Sequence, residues 1–319
     1  MQILLTGASG FVGSGLIAPL LKRHHSITAA VRGLKADLDP RVNQSLIGGL
    51  SGDQDWQLLL KSQDTVIHLA ARVHVMSDAS TDPLAEYRRV NVEGTLNLAR
   101  QAAAAGVKRF IFISSIKVNG EGTATGAPYT ADGPTAPTDP YGVSKKEAEQ
   151  GLRTLASETG MEVVIIRPVL VYGPGVQANF LSMMRWLHKG LPLPFGAVNN
   201  RRSLVALDNL VDLIVTTTEH PAAANQTFLV SDGEDLSTTA LLRRMGMALN
   251  KPARLLPVPS WLLQTGATAL GRRALAQRLC GSLQVDIGKT RELLGWTPPS
   301  SVDQALSKTG KQFLELQTK

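Results

Sequence analysis

Tyr141 and Lys145 are four residues apart, so on a helix both face one side. An ammonium beside a phenol favours the phenolate and lowers its pKa, which suits general acid–base work near neutral pH. A surface helix pair has the same spacing, so the pair needs company. Ser114-Ser115 supplies it, closing the apolar run of residues 109–113. A hydroxyl at the carboxyl end of a buried strand can hydrogen-bond the substrate oxygen that Tyr141 protonates. The plainer reading is a serine that merely ends a strand.

A third group is the glycine run Thr6-Gly7-Ala8-Ser9-Gly10-Phe11-Val12-Gly13, which follows the apolar residues 2–5. Its spacing is Gly-x-x-Gly-x-x-Gly. Between a strand and a helix such glycines give a tight turn, close approach of a pyrophosphate and close helix–strand packing. The helix start then offers free N–H groups and a positive dipole end to phosphates.

These residues need a scaffold, and strand and helix signals alternate through the first half. Helices are expected over residues 11–22, disturbed by Pro19, and over 53–61, 83–105 and 140–159, with Tyr141 in the first turn of the last. Strands are expected over residues 26–31, 41–47, 65–70, 109–114 and 163–167. That rhythm predicts an α/β fold of Rossmann type, a doubly wound parallel sheet covered on both faces. After Pro168 the rhythm breaks, with Pro and Gly punctuating Tyr172-Gly173-Pro174-Gly175 and residues 191–196. The division is residues 1–168 as a dinucleotide-binding domain and 169–319 as mainly a smaller α/β substrate lobe, returning an element to the first domain. Residues 257–270, with Trp261, form an amphipathic segment read as core rather than as a membrane anchor.

Hydrophobic content of 43% and charge of 18% are ordinary for a globular chain of 319 residues. The formal net charge is +7, but no basic run exceeds two residues and aromatics are 5%. This argues against nucleic acid and a membrane, and for a basic cleft that takes an anionic small molecule. The single cysteine, Cys280, excludes an internal disulfide, and the six histidines lack ligand spacing, His24-His25 falling at a helix end. No secretory signal or apolar stretch of spanning length is evident, so a cytoplasmic location and no metal are expected.

The glycine run, Val66-Ile67-His68-Leu69-Ala70-Ala71, Asn91-Val92-Glu93-Gly94-Thr95, Phe112-Ile113-Ser114-Ser115, Tyr141-Gly142-Val143-Ser144-Lys145, Arg167-Pro168 and Leu293-Leu294-Gly295-Trp296-Thr297-Pro298 occur in that order. Together they resemble the extended short-chain dehydrogenase/reductases, the nucleotide-sugar epimerases, dehydratases and reductases. The resemblance spans nearly the whole chain. It implies a catalytic triad of Ser115, Tyr141 and Lys145. It places cofactor contacts on Gly7, Ser9, Gly10, Phe11, Val12, Gly13, Leu69, Ala70, Ala71, Asn91, Ser114, Tyr141, Lys145 and Pro168. For Asn91, bracing a helix is an equal reading. It also implies a homodimer built from the helices at residues 83–105 and 140–159.

Departures from the family pattern narrow the chemistry. The end of the second strand is Ala30-Val31-Arg32-Gly33, without the carboxylate that accepts ribose hydroxyls of NAD. Arg32 can pair with a 2′-phosphate, so NADP(H) is favoured and NAD(H) is the alternative. Gly48-Gly49-Leu50 lacks the acidic adenine contact, leaving Leu50 to back the ring. Where sugar dehydratases carry Asp-Glu, this chain has Ile116-Lys117, which discounts 4,6-dehydration. Asn179 and Arg202 look like the family's diphosphate ligands, with Arg278 a second arginine; a guanidinium fork suits phosphate oxygens. Asp208-Asn209 resembles an element that is as readily structural.

The expectation is therefore an NAD(P)-dependent reductase of the C4 keto group of a UDP-linked, N-acetylated 6-deoxy-hexose. The run from Ser114 to Gly122 resembles enzymes of bacterial O-antigen, hence lipopolysaccharide, clusters. The alternative is a UDP-hexose 4-epimerase, of UDP-glucose or UDP-N-acetylglucosamine, with tightly held NAD. A non-catalytic dinucleotide sensor is the outside reading, opposed by the presence of both Tyr141 and Lys145.

Overall fold

A computed structural model describes residues 1–73, 82–269, 271 and 273–317. The strands are β1 (Gln2–Thr6), β2 (Ser26–Val31), β4 (Thr65–His68), β5 (Arg109–Ile113) and β6 (Glu162–Pro168), each with an apolar centre, and the polar edge strand β3 (Asn43–Leu46). β7 (Leu170–Tyr172), β8 (Arg202–Ala206), β9 (Thr227–Val230) and β10 (Asp235–Leu236) follow. Among the described residues, a seven-stranded parallel sheet runs β3-β2-β1-β4-β5-β6-β9, and a three-stranded sheet runs β10-β8-β7. Every residue of β4 and β5 is buried, as a strand covered on both faces requires. β9 comes from the second half of the chain, so the large sheet is completed by a returning strand.

The helices are α1 (Phe11–Lys22), α2 (Gln57–Leu60), α3 (Pro83–Arg88), α4 (Thr95–Ala104), α5 (Pro140–Thr159), α6 (Ala178–His188), α7 (Leu207–Glu219), α8 (Thr238–Ala248), α9 (Ser260–Ala269) and α10 (Arg273–Cys280), with two more before residue 317. One face of the large sheet packs Ile3, Leu5, Ile67 and Ile111 against Leu16, Ile17 and Leu20 of α1 and Leu210, Leu213 and Ile214 of α7. The other packs Leu4, Val66, Phe110 and Phe112 against Leu98 and Ala102 of α4 and Ala148 and Leu152 of α5. A third core around Tyr172, Phe180, Met184, Leu204, Leu242 and Phe313 holds the smaller sheet. The sheet order reverses between β1 and β4, and at such a point a crevice opens beyond the carboxyl ends of the strands.

Several expectations need correction. The helix expected over residues 83–105 is α3 and α4 joined by a π-helical stretch, Arg89–Gly94, a device that re-aims side chains at functional sites. The helix over 53–61 shrinks to one turn at α2, and the strand over 65–70 ends at His68, releasing Leu69 and Ala70 to the crevice. α1 runs through Pro19 to Lys22, with His24 and His25 beyond its end. The core reading of the Trp261 segment fails: α9 packs on α10 and has no buried residue, and Trp261 is 61% exposed. Leu270, the last residue of that segment, lies outside the described residues. No helix among them is long and apolar enough to cross a membrane.

Candidate active site

A cavity of about 860 Å³ occupies the crevice at the carboxyl ends of β1, β2, β4 and β5. The glycine turn forms its floor. Gly7 has φ +75°, and a Cβ there would sit 2.9 Å from the Ala70 nitrogen, so a side chain would push β1 and β4 apart. A Cβ on Gly13 would lie 2.1 Å from the Gly7 oxygen, so only glycine lets α1 approach the turn. α1 has no side-chain cap and no acidic residue in its first turn, leaving its N–H groups to an anion. His68, fully buried, braces the turn from below: its ring bridges Thr6 Oγ1 at 2.8 Å and Thr95 Oγ1 at 2.9 Å. Burial, then the Lys145 charge, lowers its pKa to about 3.

β5 alternates Phe110, Phe112 and Ser114 toward α5, and this decides the two serines. Ser114 and Ser115 both line the cavity, but Ser114 Oγ donates to Glu149 Oε1 at 2.6 Å, whereas Ser115 starts the next turn and accepts from the Lys117 N–H at 3.3 Å. Glu149 is fully buried and takes a fork from Arg167, Nε to Oε1 at 2.9 Å and Nη2 to Oε2 at 2.6 Å. Asp139 caps α5, accepting from the Gly142 N–H at 2.6 Å, and Pro140 sits in its first turn. That start turns Tyr141 and Lys145 to the same cavity as Ser115. Lys145 Nζ donates to the Ile113 carbonyl at 2.8 Å, lies 4.3 Å from the Phe112 ring centroid and 6.0 Å from that of Tyr141.

The electrostatics differ from the expectation of a lowered phenol. Burial, reinforced by the Asp139 charge and Tyr87, pushes the Tyr141 phenol above its ordinary value. Burial also brings Lys145 down to about 7, opposed by the Glu149 carboxylate. Desolvation is the largest cause of both shifts. The phenol therefore stays neutral at neutral pH, while the Lys145 amine gives up its proton far more readily than a free lysine.

Ser9, Gly10, Phe11, Val12, Arg32, Leu50, Leu69, Ala70, Ala71 and Pro168 also line the cavity. Ile47, Arg72, Arg89 and Val90 line it too and went unread in the sequence; the π turn that presents Arg89 and Val90 has no residue pattern of its own. Asn91 is off the wall. Its Oδ1 accepts from the Arg72 N–H at 2.8 Å, and its Nδ2 donates to the Arg72 carbonyl at 3.0 Å and Ser144 Oγ at 3.1 Å, tying the π turn to Arg72 and α5. Asn179, Arg202 and Arg278 are also absent from this wall. Asn179 is exposed at the start of α6. Arg202 is on β8, its Nη1 donating to the Gly281 carbonyl at 3.1 Å. Burial, then repulsion from Arg278, lowers the Arg202 pKa, and Glu121 opposes this. Lys117, standing where dehydratases hold an acid, is tied to Asp139 and, at 3.1 Å, to Glu121. Asp208 pairs with Lys308 and Asn209 bonds Asp232 and the Ser300 carbonyl, which are structural contacts. No group of His, Cys, Asp and Glu suited to a metal occurs among the described residues.

Residues 3–231 match the family described as the NAD dependent epimerase/dehydratase family. A UDP-glucose 4-epimerase of Vibrio cholerae is 51% identical over 316 residues, covering 98% of this chain and 96% of that protein. Two solved structures share the fold. A UDP-glucose 4-epimerase of Thermotoga maritima with UDP-glucose has TM-score 0.78 at 23% identity, covering 99% of this chain and all of that one. A UDP-glucuronic acid 4-epimerase of Bacillus cereus, in complex with UDP-glucuronic acid and NAD, has TM-score 0.79 at 22% identity, with the same coverage.

Proposed function

The chain belongs to the NAD-dependent epimerase/dehydratase family, and from that premise we propose that it is a UDP-hexose 4-epimerase. The observation that carries the reading is the 51% identity, end to end, with a UDP-glucose 4-epimerase. Ser115, Tyr141 and Lys145 on one cavity agree with it. The ordering of the sequence reading is thereby reversed: 4-ketoreduction rested mainly on Arg32, and Arg32 is one exposed residue at the cavity's edge.

The cavity fits a dinucleotide in its donors: a Cβ-intolerant glycine turn, an uncapped helix start and an apolar wall of Ile47 and Leu50. A bound nicotinamide dinucleotide, here taken as NAD(H), supplies the acceptor and donor of hydride. With its own proton first given up to the Lys145 amine, the Tyr141 oxygen takes the proton of the sugar C4 hydroxyl as the C–H bond is broken and returns it to the oxygen when the bond re-forms on the other face. Ser115 holds that oxygen by a hydrogen bond, and Lys145 carries the compensating proton beside the phenol. Arg202 and Arg278 meet the diphosphate from the smaller lobe, where their mutual repulsion favours an anion between them. The two halves leave no net redox change.

Purified protein tests this. UDP-glucose and UDP-galactose should interconvert with no added cofactor, and the denatured protein should release NAD. Stoichiometric consumption of NADPH by a UDP-4-keto-sugar, without interconversion, would restore the ketoreductase reading.

A further inference from the structure

Charge is unevenly spread along the chain. Residues 174–207 contain no Asp or Glu and four Lys or Arg; residues 236–285 contain none and seven. The two stretches are joined by backbone pairing at one end of the smaller lobe. Leu193 pairs with Leu255 and Ala197 with Pro259, the Leu193 N–H donates to the Arg254 carbonyl at 2.8 Å and the Leu191 N–H to the Trp186 carbonyl at 3.2 Å. That hydrogen-bonded run carries exposed apolar side chains: Trp186 at 39%, Leu191 at 44%, Leu256 at 51%, Trp261 at 61% and Leu262 at 45%. α9, which begins just after Pro259, has no charged residue and buries none of its side chains.

Large apolar groups gathered in this way mark a contact surface rather than ordinary exposure. Arg185, Lys189, Lys251 and Arg254 flank them, all exposed, and none of their side chains has an ion-pair partner among the described residues. A second copy of the chain docking by the same face would set these cations against themselves. An anionic surface would satisfy them. Tryptophan, with an apolar body and one N–H, suits the boundary between headgroups and acyl chains.

We propose that this end of the smaller lobe is a peripheral docking face for an anionic lipid bilayer, seating Trp186, Leu191, Leu256, Trp261 and Leu262 at the headgroup boundary with Arg185, Lys189, Lys251 and Arg254 on the phosphates. The contact lies on the membrane and does not cross it, in keeping with the lack of a spanning helix among the described residues. Neither set of residues belongs to the catalytic cavity, so the inference is independent of the epimerase reading.

The test is co-sedimentation of the full-length protein with vesicles of phosphatidylcholine alone or mixed with phosphatidylglycerol. Binding is expected only with phosphatidylglycerol and should weaken steeply with salt. It should be accompanied by a blue shift of tryptophan fluorescence, since Trp56 and Trp296 are already buried. Lys189→Gln and Arg254→Gln should each weaken partition about fivefold. The pair Trp261→Ser and Leu262→Ser should weaken it about tenfold or more. Turnover of soluble UDP-sugar and the melting temperature should stay unchanged in all of them, which separates this inference from the activity. No binding to phosphatidylglycerol vesicles, equal binding to phosphatidylcholine, or variants that bind like wild type would overturn it. Concentration-dependent self-association abolished by the Trp261 and Leu262 changes would overturn it in favour of a copy-to-copy interface.

Discussion

Replacing Glu149 by Gln should cost more than any cavity-wall change. The carboxylate is fully buried and accepts from Ser114 Oγ, from both arms of the Arg167 fork and, at 3.2 Å, from Arg153. Arg153 is 48% exposed and adds little, whereas the Arg167 side chain is 2% exposed. A carboxamide keeps one acceptor but turns an NH2 toward a guanidinium that has no other anion. Breaking such a buried pair costs about 3–5 kcal/mol, a large share of the ~5–15 kcal/mol that holds a domain folded. For a chain of this length each kcal/mol is about 2 °C, so Glu149→Gln should melt about 6–10 °C lower. Adding Arg167→Met should restore at least half of the loss, because the stranded charge is then gone. The same carboxylate opposes the downward shift of Lys145, so the pH profile of turnover in Glu149→Gln should move to lower pH on the Lys145 limb. Scanning calorimetry with a pH–rate series measures both. A melting temperature within about 2 °C of wild type would refute the stranded-charge reasoning.

Two further outcomes follow from the site. Tyr141→Phe should lower turnover about 10²–10⁴-fold while leaving dinucleotide binding intact, by rate assay and bound-cofactor absorbance; unchanged turnover would remove the phenol from the mechanism. Stability should rise with pH between about 7 and 10.5, because the unfolded chain then holds a proton on Lys145 that the folded one lacks. It should fall above about pH 10.5, once the Lys145 gain is complete, because the folded protein keeps phenolic protons on Tyr141 and Tyr172 that the unfolded chain releases. Below about pH 6.5 it should fall again toward pH 3 as the unfolded chain charges His68 first. Denaturant titrations across pH check all three windows, and Lys145→Met should flatten the first.

The strand–glycine–helix opening, the alternation of strands and helices and the Tyr141–Lys145 spacing were legible in the sequence because each is local. A buried parallel strand is mostly apolar, a turn under a phosphate must be glycine, and a helix repeats its face every four residues. What the chain could not announce depends on groups that meet only after folding. Asn91 reads equally as a cofactor ligand and as a brace, and only the fold shows Arg72 and Ser144 using its amide. The Tyr141 phenol reads as acidic beside an ammonium, whereas in the fold burial, then Asp139 and Tyr87, push it up. Trp261 reads as core because an apolar helix usually finds a sheet to cover, and only the tertiary structure, in which α9 packs on α10 and buries none of its side chains, leaves it in the open. Spacing fixes which side chains share a face; desolvation and hydrogen-bond partners, set by segments far away in the chain, decide what those side chains do.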